Sequence, residues 1–210
     1  MSNLWLTLGW LLYALLHSLL SSFAAKDWIA RRLPNAMPYY RLAFNFIAGI
    51  TALPLAWLIH AFPGETLWRW SEPWVWLANG LALAAIAGLL VSSRAYDMDE
   101  FLGLRQLRSG ATQVDNRAGF TLSFFHRFVR HPWYLFGLII VWTRDMNEAW
   151  LVSAIAITLY FTIGSWFEER KLVALHGEAY RRYMERVPGL LPLPWKYLKA
   201  EETRNWHAAG

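Results

Sequence analysis

The sequence predicts an all-α polytopic membrane protein with about five transmembrane helices and a helical C-terminal region in the cytoplasm. Of its 210 residues, 56% are hydrophobic and only 17% are charged. Uncharged apolar runs recur at lengths near the ~20 residues that a bilayer-spanning helix requires. The chain has no cysteine, which excludes a disulfide framework, a thiolate metal site and a catalytic thiol.

We expect one membrane-embedded domain over residues 1–210, with spans at residues 4–25, 42–61, 74–91, 128–142 and 150–167. The first is interpreted as a retained span, because the N-terminus lacks the basic region and the small-residue cleavage site of a signal peptide. The fourth apolar run is short, so its helix is expected to begin near Phe128, with His131 at membrane depth. Along the third span, Gly80, Ala84 and Gly88 would let another helix approach closely. That face can pack within one chain or between two, so the oligomeric state is left open.

The basic residues lie between the apolar runs, and they indicate orientation rather than nucleic-acid binding despite a net charge of +5. Four Lys or Arg residues precede the second span, six lie between the end of the third span and Arg130 at the start of the fourth, and eight follow the fifth. The opposite side has only Arg69 and Arg144. By the positive-inside tendency, the N-terminus is expected outside, and residues 92–127 and 168–210 are expected in the cytoplasm. The expected location is the inner membrane of a bacterium.

Two titratable side chains and a proline stand directly before the fourth apolar run, in the stretch Arg130-His131-Pro132-Trp133-Tyr134. Charged groups at the mouth of a membrane segment are costly, so they are a functional hypothesis by default. The alternative is that His131 only anchors the helix at the interface.

The C-terminal helix expected over residues 168–187 carries a second set of polar residues. Residues spaced by three, four and seven share a helix face, which aligns Glu169 with His176, and Tyr180 and Tyr183 continue that face if the helix is unbroken. We expect an interruption at Gly177. The alternative is a solvated amphipathic helix. No histidine pair has metal-ligand spacing with a carboxylate, so no metal is expected.

These motifs together resemble the C-terminal signature of the integral-membrane methyltransferases, which include isoprenylcysteine carboxyl and phospholipid N-methyltransferases. The residues that carry the resemblance are Arg130 to Tyr134, Glu168 to Leu172, His176 to Tyr180, Tyr183 and Val187-Pro188. Upstream, the sequence is similar to the methanethiol S-methyltransferase and NnrU-like bacterial branch, at Leu16-His17-Ser18, Tyr40 to Asn45 and Phe101 to Gln106.

The resemblance implies a cytoplasmic pocket for S-adenosylmethionine between the Arg130–Tyr134 stretch and the C-terminal helices. The residues it assigns to the cofactor are His131, Pro132, Tyr134, Glu168, Glu169, His176, Tyr180 and Tyr183. The sequence departs from the family pattern where a small residue is expected two positions after the tyrosine, because Phe136 stands there and Gly137 follows.

The methyl acceptor is predicted to be a small or lipophilic thiol of the methanethiol type. Arg105, Arg127 or Arg130 could hold an anionic acceptor, whereas a neutral thiol needs a base such as His126 or Glu169. The alternatives are an isoprenylcysteine carboxyl or lipid methyltransferase, a sterol-reductase-like membrane reductase, and a non-catalytic NnrU-like protein. Besides the acceptor, the expected partner is the lipid bilayer, with no nucleic acid.

Overall fold

The computed structural model describes residues 2–94, 96–110 and 122–203. These residues are mostly helical, and four of their helices are long and apolar enough to cross a membrane: Ser2–Ser21, Pro34–Ala61, Trp74–Ser93 and Glu148–Arg186. A shorter apolar helix covers Pro132–Trp142. The prediction of a mainly helical chain with several helices suited to a membrane is therefore confirmed, whereas the number of five spans stays a prediction. The chain divides into two compact units, each described separately below.

The first unit comprises Met1–Arg69, Tyr96–Asn116 and Met146–Ala156. Helix α1 (Ser2–Ser21) packs on α3 (Tyr40–Ala61), and a Cβ at Gly9 would lie only 2.7 Å from Leu55 Cδ2. The predicted first span of residues 4–25 is too long, because α1 ends at Ser21 and α2 (Phe23–Arg32) begins a new helix. Ser22 caps α2 by accepting a hydrogen bond from the Ala25 amide at 3.2 Å.

The remaining elements of this unit are short. A 3-10 helix (Pro34–Tyr39) leads into α3, which contains Pro54. Helices α5 (Met98–Leu102) and α6 (Leu104–Ser109) meet at Gly103, whose φ of +87° favours glycine. Strand β1 (Thr66–Trp68) pairs antiparallel with β2 (Met146–Asn147), directly before α8 (Glu148–Arg186) begins.

The second unit comprises Trp70–Ala95, Arg117–Asp145 and Ile157–Gly210. Helix α4 (Trp74–Ser93) packs against α7 (Pro132–Trp142) through a stripe of small buried residues. The Phe136 ring occupies the space left by Gly88, and Trp133 Nε1 donates to Ser92 Oγ at 3.1 Å. Gly88 therefore serves packing within the chain, whereas a Cβ at Gly80 would meet nothing within 4 Å.

The fourth predicted span begins later than expected. The prediction that its helix starts near Phe128 is wrong, since α7 starts at Pro132 and the preceding turn is a 3-10 helix, Phe124–Arg127. The physical reason is that proline disfavours helical geometry in the residue before it, and His131 has φ −123° and ψ 70°. Proline itself fits the first position of a helix.

Helix α8 is longer than either of the two helices predicted for its region. It passes residue 167, where the fifth span was expected to end, without a break, and it continues across a kink at Gly177 to Arg186. The predicted interruption at Gly177 is confirmed, since this residue has φ +57° and ψ −133°. Such a conformation is open to glycine but strained for other residues.

The Gly88→Ala substitution is expected to destabilise the protein by about 1–3 kcal/mol. The new Cβ would lie 2.5 Å from Phe136 Cζ, so the ring must move. Thermal unfolding of the detergent-purified variant measures the effect, and adding Phe136→Leu should relieve it. Gly80→Ala is the matched control on the same helix, and an equal loss in both variants would contradict this account.

Candidate functional site

The Glu169 carboxylate joins the two basic residues that precede α7. Its Oε1 atom accepts hydrogen bonds from Arg130 Nε at 2.8 Å and from His131 Nε2 at 3.0 Å. Glu169 is 8% exposed and His131 is 7% exposed. A buried carboxylate is tolerated because the two basic partners compensate for its lost hydration.

Arg130 also binds the end of α8 and the residues that follow it. Its Nη1 atom donates to the carbonyls of Met184 at 3.0 Å and Val187 at 2.5 Å. The Arg130 amide donates to the Pro188 carbonyl at 2.9 Å. A helix leaves its last carbonyls without partners in the helix, so Arg130 satisfies groups that the end of α8 exposes.

Glu168 forms the more accessible edge of the same cluster. Its Oε2 atom accepts a hydrogen bond from the Tyr134 hydroxyl at 3.2 Å and lies 3.4 Å from His131 Nδ1. The Glu168 side chain is 49% exposed, compared with 11% for that of Glu169. Burial lowers the pKa of His131, but hydrogen bonds to Glu168 and Glu169 outweigh it, so the pKa is raised and the cationic form is favoured.

Three rings stack beside these carboxylates. The Tyr134 ring lies between the His131 ring, 5.3 Å away, and the Phe161 ring, 4.6 Å away, with interplanar angles of 9° and 12°. A Cβ at Gly137 would lie 3.0 Å from the Phe161 ring, so the glycine leaves room for it. The sequence prediction missed Phe161, although it stands seven residues before Glu168 and thus on the same helix face. The departure from the family pattern at Phe136 and Gly137 has a packing reason. Phe136 fills the space at Gly88, and Gly137 leaves room for the Phe161 ring.

The other predicted cofactor residues also belong to the second unit. Tyr180 and Tyr183 are 1% exposed and belong to a core cluster with Leu122, Val187 and Leu198. The Tyr183 hydroxyl donates to the His126 carbonyl at 2.6 Å. Pro132 is buried at the start of α7, and His176 is partly buried directly before the kink in α8. Arg105 belongs to the first unit, where it forms an ion pair with Asp97.

His126 is held in a local turn. Its Nδ1 atom accepts a hydrogen bond from the Ser123 amide at 3.2 Å and lies 2.8 Å from Ser123 Oγ. Burial, reinforced by the positive charge of His131, lowers the pKa of His126 to about 4. The neutral ring is thus favoured here, with Nδ1 engaged by Ser123, and the base role that the sequence suggests for His126 stays a prediction.

The free energy of unfolding is expected to fall by about 3 kcal/mol as the pH drops from about 6.5 to about 4. In this range unfolded His126 takes up a proton while the folded, buried ring stays neutral, so the unfolded state binds more protons. Unfolding in detergent at several pH values measures the slope. His126→Gln keeps an acceptor that does not titrate and should flatten the curve, and an unchanged slope would assign the loss to other groups.

No group of three or more His, Asp or Glu side chains that could hold a metal ion occurs in the part of the chain that the structure describes. The site instead combines two carboxylates, two basic groups and stacked aromatic rings. Carboxylates can accept hydrogen bonds from hydroxyl or ammonium groups. The half-exposed Glu168 carboxylate could therefore bind such groups on a ligand.

Comparisons with curated proteins give relatives that share one activity in their names. The chain is 31% identical to methanethiol S-methyltransferase 2 of Bradyrhizobium diazoefficiens over 202 residues, which cover 95% of this chain and 76% of the relative. It is 30% identical to the methanethiol S-methyltransferase of Mycobacterium tuberculosis, over 88% of this chain and 76% of the relative. A third relative, the methanethiol S-methyltransferase of Crocosphaera subtropica, is 29% identical over 86% of this chain and 71% of the relative. No family model matches the chain, and no solved structure does.

Proposed function

The chain belongs to the methanethiol S-methyltransferase family of membrane methyltransferases, and we propose that it transfers a methyl group from S-adenosylmethionine to a small or lipophilic thiol. The name shared by its relatives supports the thiol acceptor, with methanethiol as the first candidate. It does not support the reductase or the non-catalytic alternative. No observation at the site favours an isoprenylcysteine or a lipid over the thiol.

The single observation that carries the cofactor assignment is the half-exposed Glu168 carboxylate beside stacked rings. Only its Oε2 atom has partners among the described residues, so Oε1 is available to a ligand. S-adenosylmethionine fits this donor set, because it carries an ammonium group, ribose hydroxyls and a sulfonium whose methyl group is electrophilic. We assign Glu168 to an ammonium or hydroxyl group, and the rings of Tyr134 and His131 to the wall of the pocket.

The protein's contribution to methyl transfer is chiefly alignment and exclusion of water. Glu169 holds His131 through Nε2, and Glu168 contacts the same ring through Nδ1. Tyr134 is fixed by its hydrogen bond to Glu168 and by Phe161. His131 and Tyr134 thus have few alternative orientations. We propose that Arg130 acts by positioning these groups, and that His176, Tyr180 and Tyr183 border the pocket.

The membrane topology is part of the proposal. We propose that α7 is a fifth, short membrane segment beside the four long helices, and that residues 1–210 form one functional domain. The bias of Lys and Arg supports an N-terminus outside and a C-terminus in the cytoplasm, in a bacterial inner membrane. A lipophilic thiol could then enter from the bilayer while the cofactor enters from the cytoplasm.

Calorimetric titration of the detergent-purified protein with S-adenosylmethionine, its demethylated product and NADPH tests the cofactor. We expect saturable binding of the first two and none of NADPH. Headspace detection of methylated product from methanethiol then tests the acceptor. Binding of NADPH alone, or of none of the three, would overturn the proposal.

Glu168→Gln is expected to weaken S-adenosylmethionine binding by about tenfold or more, because a neutral amide attracts an ammonium group less than a carboxylate does. The melting temperature should change little, since the side chain is 49% exposed. Glu178→Gln is the matched control on the same helix, because its side chain is 80% exposed and pairs only with the neighbouring Arg181 among the ion pairs of the described residues. Wild-type affinity in the Glu168 variant would remove this residue from the pocket.

A further inference from the structure

An exposed aromatic and apolar surface lies in the second unit, next to the start of α7. Its members are separated in sequence, and all have large exposed fractions: Phe124 60%, Leu191 65%, Trp195 74% and Tyr197 44%. We call these four residues the Trp195 surface. An aromatic side chain as exposed as Trp195 in water is unfavourable, so the surface indicates a partner.

Hydrogen bonds fix this surface to the residues that precede α7. The Leu198 amide donates to the Arg127 carbonyl at 2.9 Å, and Arg127 Nε donates to the Leu198 carbonyl at 2.9 Å. Further along, the His131 amide donates to the Gly189 carbonyl at 3.2 Å. The Tyr197 ring stacks on Phe128 at 6.3 Å. The Trp195 surface therefore lies beside the first residues of α7, at the same height along the axis of that helix.

The length of α7 places that level close to lipid. Its 11 residues span only about 16 Å, whereas the hydrocarbon core is about 30 Å thick. Given the proposed membrane span of α7, on which this inference rests, residues that flank so short a span lie beside lipid, or the bilayer thins around them. Lipid contact thus accounts for exposed apolar side chains immediately before α7.

The backbone at this level meets the requirement that lipid imposes. Irregular backbone near hydrocarbon is tolerated only where its polar groups find partners within the protein. The amides of His126, Phe128 and Val129 donate to carbonyls within the same turn at 3.0 to 3.2 Å. Those of Arg130 and His131 donate to residues 188 and 189. The turn before α7 is thus compatible with burial in the interface.

The charges beside the surface identify the lipid class. Lys196 and Lys199 are exposed, and neither forms an ion pair with the residues that the structure describes. Of the two acidic residues that follow, Glu201 is exposed, whereas Glu202 pairs with Arg186 and accepts a hydrogen bond from the Lys199 amide at 2.7 Å. Tryptophan and tyrosine favour the headgroup level of a bilayer, and lysines there attract anionic lipids. We propose that the Trp195 surface inserts into the bilayer interface, where Lys196 and Lys199 bind the headgroups of anionic phospholipids.

A nitroxide label tests this inference, and the absence of native cysteine lets a single Trp195→Cys substitution carry it. The labelled protein is placed in nanodiscs of phosphatidylcholine, or of equal parts phosphatidylcholine and phosphatidylglycerol. Collision rates of the label with oxygen and with a water-soluble nickel chelate are measured. We expect an oxygen-to-nickel ratio several-fold above that of a label at the control Glu178→Cys. The ratio should rise with phosphatidylglycerol, and Lys196→Gln with Lys199→Gln should abolish that rise.

A ratio equal to that of Glu178→Cys would overturn the proposal, and a ratio unaffected by phosphatidylglycerol would overturn its anionic part. A label shielded from both reagents, with spin–spin broadening that disappears on dilution with unlabelled protein, would assign the surface to a second copy of the chain instead. Leu191→Cys is the second label position if the first variant fails to fold. Binding of S-adenosylmethionine is not needed for any of these outcomes.

Discussion

The Glu169→Ala variant is expected to lose methyl transfer and about 3–5 kcal/mol of the free energy of unfolding. One oxygen of Glu169 accepts hydrogen bonds from Arg130 and His131, and all three side chains are largely buried. Removing the carboxylate leaves Arg130 without its carboxylate partner among the described residues, and it leaves His131 with Glu168 alone. Thermal unfolding in detergent, together with calorimetry of S-adenosylmethionine, measures both losses.

Comparison with Glu168→Gln separates the loss of cofactor binding from the loss of stability. Glu168 is half exposed, so its substitution should reduce binding with little loss of stability, whereas loss of Glu169 should reduce both. Glu169→Gln should fall between them, because an amide oxygen at the position of Oε1 can still accept from both donors but carries no negative charge to compensate theirs. A stable Glu169→Ala variant that binds no cofactor would instead place Glu169 in direct contact with the ligand.

The long helices could be predicted from sequence because their signal is local. A bilayer imposes a length of apolar residues on each helix, and α1, α3, α4 and α8 all contain such runs. Errors arose where a single residue changes the backbone. Ser22 starts a second helix within the predicted first span, and Pro132 moves the start of α7. The break at Gly177 could be predicted because glycine tolerates a backbone geometry that other residues resist.

The composition of the candidate site was only partly predictable. Its charged residues stand out in sequence, because ionisable groups beside apolar runs are costly. Which of them contact one another depends on packing between α7, α8 and the residues after α8, and no periodicity encodes that. Phe161 looks like any other apolar residue of a membrane helix, and only the space at Gly137 distinguishes it. The contact between His126 and Ser123 likewise depends on a turn that the sequence pattern does not reveal.

Arg130→Lys is expected to lose about 3 kcal/mol of stability and most methyl transfer, although it preserves the positive charge. Arg130 donates to Glu169 through Nε and to the Met184 and Val187 carbonyls through Nη1. A lysine ammonium on a flexible stem cannot reproduce this spread of donors. The end of α8 and the residues after it should loosen, and the contact that orients His131 through Glu169 should weaken. Unfolding experiments and steady-state kinetics measure these losses.

Arg127→Lys is the matched control. Within the described residues, the Arg127 side chain makes one hydrogen bond, to the Leu198 carbonyl, and rests on the rings of Phe124 and Phe128. Lysine keeps the charge and the contact with the rings, so this variant should lose less stability and little activity. If Arg130 instead held an anionic acceptor, Arg130→Lys would remain stable, bind S-adenosylmethionine normally and raise only the KM for the thiol. A drop in kcat and stability with a nearly unchanged thiol KM would identify Arg130 as a positioning residue.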